Sequence, residues 1–340
     1  MKNVLSAAVI AAVAGAAGAA SASDIQLAGS STVLPYAKTV QAQFKEVFPK
    51  FNVVVEGGGS SKGKKLVCEN AIDIGNASSR NKDKEKAYCA EKGVELIEFA
   101  FGYDGIVFAY DNKGDKFDLT PTDVYKALNK TVGGKPNTAK TLKDVNSALP
   151  AWKIAFYIPA ENHGTREVFD KKVMHAGCKA VGDFDVFKKA AEAAGEKKPK
   201  KVAAKKCADF RVEDGSVVEI AGNYNETLKR IDSNKTGVGV FGLAFYEANK
   251  AKLAVAKVEG VVPTAAKVAS GEYPVSRPLY FYVNKARLKT TAGLSDFVAF
   301  WLSDEVVGPG SEIVNNGLVA APDGEREANR KKLADGTVLK

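Results

Sequence analysis

The residues able to do chemistry gather in four short stretches: Gly29-Ser30-Ser31-Thr32, Gly57-Gly58-Gly59-Ser60-Ser61-Lys62-Gly63, Asn76-Ala77-Ser78-Ser79-Arg80 and Glu161-Asn162-His163-Gly164-Thr165-Arg166-Glu167-Val168-Phe169. Each combines small residues with hydroxyls, and the last two add an arginine. Glycine lets a backbone approach a ligand closely. Hydroxyls donate hydrogen bonds, and the first turn of a helix leaves N–H groups without intrahelical partners under a favourable dipole. Such a set suits an anion, and arginine adds a planar, bidentate donor for two oxyanion oxygens. Any one stretch alone reads first as a helix cap or a tight turn. Four of them in one chain point to a shared oxyanion site.

The flanking sequence says how they are positioned. Asp24 to Leu27 reads as a short strand. Val33, Ala37, Val40, Phe44 and Val47 then recur at helical spacing on one face, with Ser31 or Thr32 as N-cap. Phe51–Val55 is a β-branched strand feeding the second stretch, which opens a short helix carrying Cys68. Ala71–Gly75 is another strand ending in the third stretch. Strand, small polar loop, helix, strand is the order of an α/β sheet, in which ligands bind beyond the carboxyl ends of the strands.

Farther on, Val94–Tyr110 reads as two strand-like runs around Gly102-Tyr103-Asp104-Gly105, with Ile106–Tyr110 able to cross between two lobes. Residues 111–150 read as loop and helix, and Trp152–Ile158 as the strand delivering the fourth stretch. Helices are predicted over 166–175, 184–194, 223–232, 293–302 and 325–333, and a strand over 237–242. Tyr273–Val283 is a second extended segment, the return crossing.

Composition bounds the rest. Lys2, an alanine-rich apolar run and Ala20-Ser21-Ala22 read as a secretory signal peptide over 1–22, cleaved near Ala22, in preference to a membrane anchor. No later run approaches the roughly 20 apolar residues of a span. The formal charge of +9 falls to +8 once Lys2 is removed, a balance that attracts anions of any kind. The basic run 196–206, with six lysines, reads as a solvated loop. It lacks the interleaved aromatics of a nucleic-acid groove, so no nucleic acid is expected. Four cysteines allow three connectivities. In an exported chain the sequence-local pairs Cys68–Cys89 and Cys178–Cys207 are favoured, each worth roughly 3 kcal/mol. Zinc would want closer spacing or more than His163 and His175, so no metal and no cofactor are expected.

Gly29–Thr32, Gly59–Gly63, Asp73-Ile74-Gly75 with Ser79-Arg80, Tyr103–Gly105, Gly164–Arg166 with Phe169, and Tyr273-Pro274 together resemble the phosphate-binding proteins that serve high-affinity phosphate ABC transporters, over nearly the whole mature chain. The form with His163 before Gly164 is similar to the alphaproteobacterial version. The resemblance implies an α/β, two-lobed periplasmic-binding-protein fold of type II. Each lobe would be a mixed, mostly parallel sheet flanked by helices, with lobe I at 23–106 plus 278–340, lobe II at 107–277, and two hinge crossings between them. It also implies a monomeric periplasmic protein, not an enzyme, that closes on inorganic phosphate and hands it to permease subunits. Carried over by position, Ser31, Thr32, Ser60, Ser79, Arg80, Gly164, Thr165 and Arg166 match the family's anion donors.

Three positions depart from the family pattern. Some members carry an aspartate near Ser79, and an arginine and a serine where Pro159 and His163 stand here. Arg80 and Arg166 would supply the charge, and His163 would contact the anion, the plain alternative being an ordinary loop residue. His175 reads as structural. Rejection of sulfate, which lacks the proton that HPO₄²⁻ donates, requires a buried acceptor, because an unpaired one costs roughly 1–3 kcal/mol. The candidates are Asp104, Glu161 and Glu56, in that order; the plain alternative for Asp104 is a turn residue ahead of Gly105. Three other functions remain open: binding of arsenate, sulfate, phosphite or a phosphonate; hydrolysis of phosphate esters; and a surface-adhesive role. No Gly-x-Ser-x-Gly elbow supports the hydrolase.

Overall fold

A computed structural model describes residues 24–161, 164–221 and 224–339. The signal peptide with its cleavage site, and His163, lie outside the described residues. The strands that matter are β1 (Ile25–Gly29), β2 (Val53–Glu56), β3 (Ile74–Ala77), β4 (Leu96–Asp111), β5 (Phe156–Pro159), β6 (Val217–Ile220), β7 (Val238–Gly242), β8 (Leu253–Val255), β9 (Ser276–Asn284) and β10 (Val319–Ala320). They run in the order β2-β1-β3-β9-β4-β7-β5-β6, with β8 and β10 also on β4. Parallel ladders join β1 to β2 and β3, and β5 to β6 and β7. The strands between these two sets pair antiparallel. The result is a mixed α/β architecture of two lobes linked through β4 and β9.

β4 is one strand of 16 residues rather than two runs. Both of its faces are covered, so an almost unbroken apolar sequence suits it. Its first half packs with β9 over a core of Phe44, Phe99, Phe101, Phe281, Phe297 and Trp301. Phe281 stacks on Trp301 at 4.5 Å between centroids, a favourable offset arrangement. Its second half belongs to another core, which holds Phe108, Phe156, Phe169 and Phe241. β9 pairs along most of β4, from Ser276 opposite Gly105 to Asn284 opposite Leu96.

Helix α1 (Leu34–Val47) buries Tyr36, Ala37, Val40 and Phe44, close to the predicted stripe. Val47 is 59% exposed instead, because Phe48 and Phe51 take over the packing on Phe44. The helix cap is neither Ser31 nor Thr32. Ser30 accepts from the backbone N–H groups of Thr32 and Val33, and its carbonyl accepts from Leu34.

Helix α2 (Ser60–Cys68) lies hard against β1 and β3. At Gly63 a Cβ would sit 2.4 Å from the Ala28 carbonyl oxygen, and at Gly29 (φ +146°) one would sit 2.1 Å from the Asn76 carbonyl oxygen. Only glycine permits this approach, which sets the second and third stretches edge to edge. Cys68–Cys89 and Cys178–Cys207 are both formed, with Cα separations of 4.5 and 5.6 Å.

The lysine-rich segment is a helix over Pro199–Lys206, not a loop. Pro199 occupies its first turn, where a missing N–H costs nothing. Ala203 and Cys207 fall one turn apart on the buried side. Among the described residues no helix is long and apolar enough to cross a membrane.

Candidate functional site

Three of the four stretches are tied together by their own backbone. Ser30 N–H donates to the Asn76 carbonyl (2.9 Å) and Gly59 N–H to the Gly29 carbonyl (2.8 Å). Ser60 Oγ accepts from Ser78 N–H at 3.0 Å and lies 3.2 Å from Ser78 Oγ. All three follow the carboxyl ends of β1, β2 and β3, as the sheet grammar requires.

The fourth stretch meets them from the other lobe. A helical run starts at Gly164–Val168, passes through a π-helical turn at Phe169–Met174 and ends with His175–Ala180. From its first turn Glu167 reaches across to lobe I, where its Oε2 accepts from Thr32 Oγ1 at 2.8 Å. Arg277, on β9, donates from Nη2 to the same Thr32 Oγ1 at 2.6 Å and lies 3.4 Å from Glu167 Oε2. Asp104 stands opposite Arg277 on β4, with Oδ2 3.8 Å from Nη2. Thr165 Oγ1 lies 3.1 Å from the Tyr224 hydroxyl.

Burial makes this cluster electrostatically tense. Asp104 is fully buried, and neither carboxylate oxygen has a hydrogen-bond partner among the described residues. Burial therefore pushes its carboxyl up to about 6, against the pull of Arg277 and with Glu167 adding to the rise. Burial works on Glu167 in the same direction, but Arg277, Lys171 and the Thr32 hydroxyl outweigh it and hold that carboxyl below its ordinary value. Burial, with the charge of Asp104, lifts Tyr224 to about 12 despite the Thr165 contact. Arg277 Nε and both side-chain polar atoms of Asn76 are also buried without hydrogen-bond partners among the described residues. Buried polar groups are ordinarily paired, so Asp104 and Arg277, facing each other with unpaired atoms, leave room for a further hydrogen-bonding group.

The residues expected from sequence divide into two groups. Thr32 and Asp104 meet at Arg277, Ser60 meets Ser78, and Thr165 meets Tyr224. Ser31 is exposed, as are Glu56, paired with Lys62, and Glu161. Ser79 turns toward Lys64 Nζ at 3.3 Å, and Arg80 donates to Glu98 at 2.9 Å. Arg166 is buried, donates to Asp170 (2.8 Å) and Glu219 (2.5 Å), and stacks on Phe210. Both arginines are thus already matched by carboxylates. Gly164 begins the helical run. Burial lowers His175, which the Ala204 backbone partly offsets.

The structure brings Arg277, Glu167 and Tyr224 to this cluster as well, none of which the sequence singled out. Arg277 carried a readable signal, since it shares an alternation face with Leu279. Glu167 did not, since a carboxylate is the last group to expect where an anion binds.

Comparison with known proteins places these features in context. The model of the PBP superfamily domain matches residues 14–305. The phosphate-binding protein PstS of Staphylococcus saprophyticus is 30% identical over 312 residues, covering 90% of this chain and 83% of its own. The PstS of Staphylococcus aureus strain MRSA252 is 29% identical over 300 residues, covering 87% and 77%. Among solved structures, one described as a possible phosphate binding protein from Planctomyces limnophilus covers 94% of this chain and 99% of its own, at 24% identity and a TM-score of 0.69. An ABC-type phosphate transport receptor from Vibrio cholerae covers 87% and 99%, at 17% identity and 0.56. These two likenesses concern the fold.

Proposed function

The chain belongs to the PBP superfamily and to the phosphate-binding protein family within it, and from that premise we propose that it binds inorganic phosphate between its lobes and delivers it to the permease of an ABC transporter. The observation that carries this reading is the meeting of Thr32, Asp104, Glu167 and Arg277 from both lobes and both crossing strands. In our reading lobe I comprises residues 23–106 with 278–340, and lobe II residues 107–277. The anion site consists of Arg277, Thr32, Ser60, Ser78, Thr165 and Asp104, joined by the backbone of Gly164 and by His163. Arg80 and Arg166 brace the loops through their carboxylate partners.

Arg277 supplies charge and a fork of donors, and the hydroxyls and loop N–H groups bind the remaining oxygens. Asp104 accepts a proton that phosphate can donate and sulfate cannot. Closure brings the Glu167 helix against Thr32 and shuts out water. The protein acts as a monomer in the periplasm after loss of residues 1–22, and it performs no chemistry on its ligand. Calorimetry of the mature protein with phosphate, arsenate and sulfate tests this. Tight binding of phosphate with sulfate excluded is the expected result. Absence of phosphate binding, or turnover of a chromogenic phosphate ester, overturns it.

A further inference from the structure

We propose that Glu167 is a second proton acceptor beside Asp104, so that the species this site selects is the doubly protonated, singly charged anion, dihydrogen phosphate. The inference rests on the phosphate reading and adds the protonation state of the ligand to it.

The argument is one of charge and donor count. Arg277 is the arginine of the site, and two carboxylates face it, Asp104 Oδ2 at 3.8 Å and Glu167 Oε2 at 3.4 Å. The remaining ionisable neighbours do not change the balance. Lys171 neutralises the far oxygen of Glu167. Tyr36 on α1 and Tyr224 have phenols raised by burial and by the Asp104 charge, so both stay neutral. Arg80 is matched by Glu98, and Arg166 by Asp170 and Glu219.

A dianion entering here would bring two negative charges against a set already near neutrality. A phosphate oxygen can share a contact with a carboxylate oxygen only through a proton, since two bare acceptors repel. Two carboxylates therefore call for two P–O–H groups. Dihydrogen phosphate and dihydrogen arsenate have both, monohydrogen phosphate has one, and sulfate has none. Glu167 also already holds the Thr32 hydroxyl and approaches Arg277, the donors an anion would use. It must therefore either share them through a proton or give them up.

Calorimetry with inorganic phosphate on the mature protein between pH 5.5 and 8.5 separates these outcomes. For the native protein, affinity should fall about tenfold per pH unit once phosphate loses its second proton. At pH 8, buffers of differing ionisation enthalpy should report uptake of about one proton per phosphate bound. In Glu167→Gln the amide can donate to the dianion, so affinity should drop several-fold at pH 5.5 and become nearly level from pH 7 to 8.5. Affinity of the native protein that is level or rises between pH 7 and 8.5, above the range in which Asp104 itself loses its proton, or proton uptake near zero, overturns the proposal without needing the variant to fold. Equal tightening of Glu167→Gln at every pH also overturns it, making Glu167 a competitor of the anion. Failure of the native protein to bind phosphate at any pH would instead sink the functional reading itself.

Discussion

Arg277 and Asp104 stand directly opposite each other on the two antiparallel strands that join the lobes. Opposite charges at such positions attract, yet the closest approach is 3.8 Å, too long for a hydrogen bond. Arg277 instead donates its Nη2 to Thr32, and both Asp104 oxygens are without hydrogen-bond partners among the described residues. A buried pair held just short of contact is poised to receive a third group between them.

Replacement of this arginine should therefore affect binding more than replacement of the two that sequence motifs pointed to. Arg277→Ala is expected to weaken phosphate binding more than tenfold, about 1.4 kcal/mol. Arg277→Lys should fall between, because it keeps the charge and loses the fork. Arg80→Ala should leave affinity within a few-fold, since its side chain is 67% exposed and bonded to Glu98. Arg166→Ala should lower the melting temperature instead, because Glu219 and Asp170 lose their buried partner. Titration and thermal melting of the four variants give the comparison.

How much of this was legible depends on the kind of signal. The strand–loop–helix order around Gly29 and Gly59 was readable because each loop sits between an apolar strand and an amphipathic helix. The disulfides followed from cysteine spacing, although spacing alone left three connectivities open. Arg80 and Arg166 misled because their chemistry was visible and most of their partners were not. Glu98 and Glu219 lie 18 and 53 residues away, and only the fold brings them near, whereas Asp170, four residues on along the predicted helix, was within reach of a sequence reading. The helix over Pro199–Lys206 was hidden by a proline that breaks a helix interior and suits a helix start.

Asp104 should leave a mark on stability versus pH. Its folded value of about 6 lies above the ordinary 3.8, so the folded protein holds this proton more tightly than the unfolded chain. The contribution is fully present below pH 4 and is lost as pH rises through 6, an effect on the order of 3 kcal/mol. Without phosphate, Asp104→Asn should match the native protein near pH 4 and melt at a higher temperature at pH 7.5. Its phosphate-to-sulfate affinity ratio should fall, because an amide can donate to sulfate where a carboxylate repels it. Melting curves at the two pH values and paired titrations provide the check.

Gly63 tests whether loop placement, rather than loop composition, makes the site. A Cβ there would lie 2.4 Å from the Ala28 carbonyl oxygen, 2.8 Å from Gly29 Cα and 2.9 Å from the Asn76 carbonyl oxygen. None of these is the end of a flexible side chain, so α2 must shift away from the sheet. Ser60, at the start of α2, then separates from Ser78. Gly63→Ala should cost about 1–3 kcal/mol of stability and weaken phosphate binding, although it touches no ligand. Gly133→Ala, where φ is +60° but no atom lies within 4 Å of a Cβ, should cost stability alone.

The disulfides should separate stability from binding in the opposite way. They close segments of 21 and 29 residues, worth roughly 3 kcal/mol each in the chain-entropy view. Cys68–Cys89 fastens the far end of α2, whose near end is held independently by Ser60 and by the close approach at Gly63. Cys178–Cys207 fastens the lysine-bearing helix to the helical run that starts at Gly164 and carries Glu167. Replacing either pair with serine should lower the melting temperature by several degrees, in line with about 2–4 °C per kcal/mol for chains of this size. Phosphate affinity measured well below the melting transition should stay within a few-fold for Cys68/Cys89. A larger loss for Cys178/Cys207 would mean that the disulfide, and not the Thr32 contact alone, sets where Glu167 stands.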